Sequence, residues 1–208
     1  MKKIISALAL ASLSSFTFAQ DGLNDEAYVP TDGWDWGGRL AMLSIDEDTA
    51  RTQGVDDSAY LIGFEGNYRQ SSWVTTLGMD IVVYDDNEEF SQTVVGDGLF
   101  NDGDVSVESS SATGVLLSVA TGYEWRFTES NDVSVLVQAG YSQMFASDRS
   151  IDNCEDCYSE DIDVDGGLFA AVSLMKSNEN FDIGLYFQQY LTGDGLDNGL
   201  GLRFSLHY

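Results

Sequence analysis

The sequence predicts an all-β chain: an eight-stranded antiparallel up-and-down transmembrane barrel, with short turns at one end and long acidic loops at the other. Three observations predict it. Segments of roughly ten residues alternate apolar and polar side chains with a period of two. The links between them are short and long in turn. After the first 20 or so residues, no apolar stretch reaches the roughly 20 residues of a membrane-spanning helix, so entry into a bilayer requires a closed barrel.

The elements follow in order. Met1-Lys2-Lys3 is a basic start, Ile4 to Leu13 is an apolar run, and Thr17-Phe18-Ala19 ends in small residues where a signal peptidase reads. Residues 1–19 are therefore expected to be a secretory signal peptide and 20–208 one barrel domain. Strand one runs from Trp34 to Leu43, with Trp34, Trp36, Leu40 and Met42 opposite Asp35, Gly37, Arg39 and Ala41. In strand two Tyr60, Ile62, Phe64 and Tyr68 oppose Gly63, Glu65 and Asn67. Strand three sets Trp73, Leu77, Met79 and Ile81 against Thr76, Gly78 and Asp80, and strand four sets Val115, Leu117, Val119, Tyr123 and Trp125 against Gly114, Ser118, Gly122, Glu124 and Arg126. Val133, Val135, Val137 and Tyr141 oppose Ser134, Gln138, Gly140 and Ser142 in strand five. Strand six is read from Asp161 onward, with Ile162, Val164, Leu168, Val172 and Leu174 on one face and Asp161, Asp163, Asp165, Gly167 and Ser173 on the other. Strand seven places Phe181, Ile183, Leu185 and Phe187 opposite Asp182, Gly184, Tyr186 and Gln188. Strand eight alternates Leu200, Leu202, Phe204, Leu206 and Tyr208 with Gly201, Arg203, Ser205 and His207.

The links around residues 69–72, 128–132 and 176–180 are tight; those over 46–57, 85–111 and 145–160 are long and acidic, and 192–198 is shorter. Short periplasmic turns and long extracellular loops are what such a barrel requires. Alternation alone fits a soluble barrel with an apolar pocket equally well. Glycine decides, because Gly63, Gly78, Gly114, Gly122, Gly140, Gly167, Gly184 and Gly201 all fall on the polar face, where a narrow lumen must accommodate side chains. On a water-facing strand glycine would weaken the sheet without return. Trp34, Trp36, Tyr68, Trp73, Tyr123, Trp125, Phe181 and Tyr208 gather on the apolar face beside the short turns, the position of an interfacial girdle.

With these features the whole mature chain resembles the small outer-membrane barrels, the group of the OmpA transmembrane domain, OmpX and the Ail/Lom adhesins. The resemblance implies the outer membrane of a Gram-negative bacterium, with its lipids and lipopolysaccharide as surroundings. Leu202, Phe204, Leu206 and Tyr208 look like the C-terminal signal that the outer-membrane assembly machinery recognises. In departure from OmpA, no C-terminal peptidoglycan-binding domain is expected.

Inside such a barrel Arg39, Glu65, Asp80, Glu124, Arg126, Gln138, Asp182, Gln188 and Arg203 are expected to meet, with Tyr186 among them, and buried charges of this kind must be paired. Arg39 and Arg203, on the strands that close the barrel, are the expected centre. The expected role is structural or surface-interacting, with the lumen plugged by polar side chains; the alternative is a small porin-like channel. A monomer is the default. The formal net charge of -26 excludes nucleic acid, which needs a basic footprint. No cofactor motif is present. Enzymes on such barrels resemble one another in needing a His at the outer rim, and His207, the only histidine, stands at the opposite end. Cys154 and Cys157 read as a local disulfide, since an exported protein meets an oxidising compartment and zinc would need further Cys or His ligands. The Asp161–Gly166 stretch opens like a calcium loop, but Val172 stands where a bidentate Glu is needed, so no metal site is assigned.

Overall fold

The computed structural model describes residues 32–95, 105–127, 132–151, 157–193 and 195–207. The segment read as a signal peptide, Cys154 and Tyr208 lie outside them. Eight long strands form the barrel: β1 (Gly33–Ile45), β2 (Val55–Gln70), β3 (Trp73–Asp86), β6 (Ser111–Arg126), β7 (Val133–Ser150), β9 (Gly167–Ser177), β10 (Phe181–Tyr190) and β11 (Leu196–Leu206). Each pairs antiparallel with the next in this order. The ring closes where β11 returns to β1, with Arg39 opposite Arg203 and Leu40 opposite Leu202. The expected eight-stranded meander is the observed fold. Among the described residues no helix is long and apolar enough to cross a membrane.

The outward faces carry a belt of exposed apolar side chains, among them Leu40, Ile62, Leu77, Val119, Val137, Leu174, Leu185 and Leu202. From Trp73 to Val83 the belt covers ten residue steps, roughly 33 Å along the strand at ~3.3 Å each and ~25 Å high after a tilt of about 40°. Packed rings edge it at the short turns: Trp34 stacks on Trp36 and lies tilted against Tyr68, both with centroids 5.4 Å apart, and Tyr123 lies tilted against Trp125 at 4.8 Å. At the loop end the outward face turns polar on one level, at Ser44, Ser58, Gln189 and Asn198, residues the register aligns. Strands β2 and β7 run on past this level, whereas β1 and β10 end one residue beyond it.

Beyond it lies an ordered cap. Helix α1 (Glu47–Gln53) starts at Asp46, whose carboxylate accepts the Asp48 and Thr49 amides at 3.1 Å, and ends at Gly54 in the left-handed region. Seven residues cannot hold a helix alone, so burial of Ala50 against the barrel must anchor it. Strands β4 (Ser91–Val95) and β5 (Val105–Ser109) pair as a separate ribbon, and β8 (Ser159–Asp161) adds to the end of β7.

One strand boundary differs from the sequence reading. The sixth barrel strand begins at Gly167, not Asp161, and Ile162 and Val164 point inward while Leu168 and Val172 point outward. The segment between folds over the mouth, where the Ile162 amide donates to the Ser147 carbonyl and Asp165 bridges Gly195. Its period of two has another cause: Ile162 and Val164 dip into a water-shielded core, while Asp161 and Asp163 stay in water.

That core is the second departure. At the loop end the barrel interior is apolar: Leu43, Ile45, Leu61, Val82, Leu116, Phe169 and Leu196 face one another, joined by Ala50, Ile162 and Val164 from the loops. Polar side chains fill only the remainder.

Candidate functional site

The polar interior has two layers. In the middle, Arg39 on β1 holds Asp80 on β3 through a bidentate pair, with its Nε donating at 2.7 Å, and Nη2 also donates to Ser118 at 2.9 Å. Strand β2 lies between, and the residue that faces both partners there is Gly63. A Cβ on Gly63 would sit 1.7 Å from an Asp80 carboxylate oxygen, so the pair exists because that position has no side chain. Arg203 on β11, which the register sets opposite Arg39, reaches diagonally across β1 to Glu65, whose own neighbour on β1 is Gly37. Its Nε and Nη2 donate to one Glu65 oxygen at 3.0 and 2.7 Å, and its other contacts are Asn67 at 3.1 Å, Ser173 at 3.2 Å and Gln138 at 3.3 Å. Gln138 donates to Thr76, which donates to Asn67. A planar guanidinium with five donors suits this role, since it can satisfy several strands at once.

The second layer stands at the short-turn mouth. Glu124 is gripped by Arg69, by Arg126 at 2.8 Å and by the Ser134 hydroxyl at 2.5 Å. Arg69 also lies 3.5 Å from Asp182 and 3.7 Å from Asp35. His207 Nε2 is 3.1 Å from Asp182, and its bond to that carboxylate holds the imidazole pKa above its ordinary value. The expected single network is thus divided. Arg39, Glu65, Asp80, Gln138 and Arg203 meet in the middle; Glu124, Arg126 and Asp182 meet at the mouth.

Gln188 and Tyr186 line the space beside the middle layer, a cavity of about 20 Å³ bordered by Arg39, Glu65, Ser118 and Arg203. That is room for about one water molecule. Leu202, Phe204 and Leu206 all face outward, and the Phe204 ring lies over Gly38 across the closing seam, 3.0 Å from where a Cβ would stand. Cys157 is disulfide-bonded, and Cys154 is the only other cysteine in the chain.

Two charged residues escaped the sequence reading. Arg69 was placed in a turn, although it continues the lumen face of Gly63, Glu65 and Asn67 by a further period of two. Arg149 was placed in a loop, yet it is 1% exposed at the end of β7. Its Nε donates to both Asp86 oxygens at 2.8 Å, its Nη1 to Glu160 at 3.2 Å, and its Nη2 to the carbonyls of Gln53 and Gly54. One side chain thus ties together three loops that are distant in sequence. No local pattern could signal it.

No protein-family model and no curated protein matches the chain. Solved structures do. The Ail attachment invasion locus protein of Yersinia pestis, crystallised with the heparin analogue sucrose octasulfate, superposes with a TM-score of 0.50 at 15% identity, over 86% of this chain and 100% of that one. Neisserial surface protein A superposes with a TM-score of 0.51 at 9% identity, over 85% of this chain and 97% of that one. At such identities the likeness concerns the fold: this chain has the fold of the small outer-membrane barrels.

Proposed function

We propose that the protein is an integral outer-membrane barrel of a Gram-negative bacterium, a closed stem that carries a structured, acidic cap outside the cell and acts there as a structural or surface-interaction protein. The observation that supports this reading is the packing inside the barrel. An apolar core lies at the loop end, paired charges in the middle border a cavity with room for about one water, and eight strands enclose an interior that side chains can fill. A solute path would require breaking either the core or the ion pairs. The expected surroundings are membrane lipids and lipopolysaccharide around a monomer, with the assembly machinery reading the last strand during insertion.

The cap supports a display role by being built rather than slack, with α1, the β4–β5 ribbon and the Arg149 tie. The sulfated ligand of the Yersinia protein is not carried over. Asp48, Asp56, Asp85, Glu88 and Asp161 face water on this cap, and Arg51 is already paired with Glu47 and Asp48, so a polyanion would meet repulsion. Nor does the interior suggest catalysis, since its one imidazole is bound to Asp182 at the mouth opposite the cap.

Planar-bilayer recording of the refolded protein tests the closed stem. The expected result is a quiet membrane. Reproducible unitary currents would establish the porin-like alternative instead.

A further inference from the structure

Asp35, Asp182 and His207 come from three places in the chain, the start of β1, the start of β10 and the residue after β11, and converge at the short-turn mouth. One ligand atom from each lies within 4.8 Å of the others. Asp182 is 3% exposed, and its Oδ1 is buried and makes no hydrogen bond of ordinary geometry, with the Ser177 hydroxyl as the neighbouring donor on this carboxylate. An unpartnered buried carboxylate oxygen is costly and calls for a cation or donor. Arg69 does not meet that need: it lies 3.5 Å from the other oxygen, Oδ2, and its hydrogen bond goes to Glu124.

We propose that Asp35, Asp182 and His207 form a binding site for a divalent transition metal of the zinc class at this mouth. An imidazole with two carboxylates is a donor set such ions accept, and three protein ligands leave the fourth position to water. Ligand atoms about 2.1 Å from a tetrahedral zinc stand roughly 3.4 Å apart; His207 Nε2 is 3.1 Å from Asp182 Oδ2, the neighbour of the unpartnered Oδ1 on the same carboxylate, and the remaining spacings, all within 4.8 Å, must shorten toward that value. Arg69, 3.5 Å from Asp182 and 3.7 Å from Asp35, is then an outer neighbour of both carboxylates. Entry is from the aqueous side, since the layer lies at the end of the barrel. The competitor is a proton on His207. Around it stand the carboxyl groups of Asp35, Glu124 and Asp182 and the guanidinium groups of Arg69 and Arg126, so acidic groups outnumber basic ones and either a proton or a metal ion can offset the surplus. The site is independent of the surface role proposed above.

His207 is the only histidine of the chain, which makes the test direct. Tag-free mature protein, refolded in detergent with histidine labelled in the ring nitrogens, is titrated with zinc under excess magnesium, which occupies the loop carboxylates. The expected result is a saturable change in the single imidazole Nε2 resonance at one equivalent. His207→Gln and Asp182→Asn should each weaken zinc binding at least tenfold, with folding verified by migration of the unboiled protein. An imidazole that reports only protonation and ignores zinc would overturn the proposal, as would wild-type zinc affinity in a folded His207→Gln variant. If neither variant folds, the wild-type spectrum alone decides between the two outcomes.

Discussion

Gly63 owes its importance to the side chains on either side of it. Gly63→Ala would place a methyl group inside the Arg39–Asp80 pair, and the strand cannot move without shifting both neighbours. The expected cost is about 1–3 kcal/mol of overpacking, plus any loss of the pair itself. Arg39→Leu leaves Asp80 buried and unpaired, at about 3–5 kcal/mol, whereas Arg39→Leu with Asp80→Leu should recover most of the loss, because the uncompensated charge dominates. Urea titration of the refolded barrel in lipid vesicles measures all three. Equal stability for the single and double substitutions would show that the pair is not the cause. The lumen charges were legible in the sequence because they fall on one face with period two. Their partners were not, because partner choice depends on which intervening strand offers a glycine, and that follows from register. Arg69 illustrates the limit, since its alternation was visible while its place at the end of a strand concealed it.

At the scale of elements, the cap was the least legible part. The barrel strands declare themselves by repetition, but α1 is too short to have a period, and the Ile162–Val164 segment mimics a strand while serving a core. The N-cap of α1 makes a pH prediction. Hydrogen bonds from the Thr49 and Asp48 amides hold the Asp46 carboxyl below its ordinary range. A depressed folded-state pKa means that the contribution is present above the ordinary carboxylate value and is lost as pH falls through the depressed one. Amide exchange at Asp48 and Thr49 should therefore remain slow at neutral pH and lose protection only under strong acid, and Asp46→Ala should abolish the protection at all pH values. Arg149→Gln tests the tie between loops. Limited proteolysis should then cut within residues 47–56 and 157–163 markedly faster than in wild type, while the barrel strands stay resistant; unchanged cutting would mean the loops hold one another without it.

For the whole molecule, the belt predicts a dependence on height. Leu202 pairs with Leu40 on one side and Leu185 on the other, near mid-belt, so Leu202→Arg should cost about 2–4 kcal/mol of stability in lipid. Ser58→Arg, on the polar level at the loop end, should cost about 0–1 kcal/mol. Folding titrations in vesicles distinguish these, and similar costs at both heights would contradict the belt. Unboiled protein should also migrate differently from boiled protein on a gel.

The interior changes character partway along the same strands. Below Ala41 the chain obeys the rules of a membrane protein, apolar outside and polar inside; above the polar level it obeys those of a water-soluble domain, with a greasy centre and a wet surface. Around Leu40, Ala41, Met42 and Leu43 both rules hold at once, which is why four apolar residues run together there. The protein is in effect a soluble head spliced to a membrane stem. The head, whose core runs down into the barrel through Leu43 and Ala41, should therefore be transplantable onto another eight-stranded stem if those inward residues are carried with it.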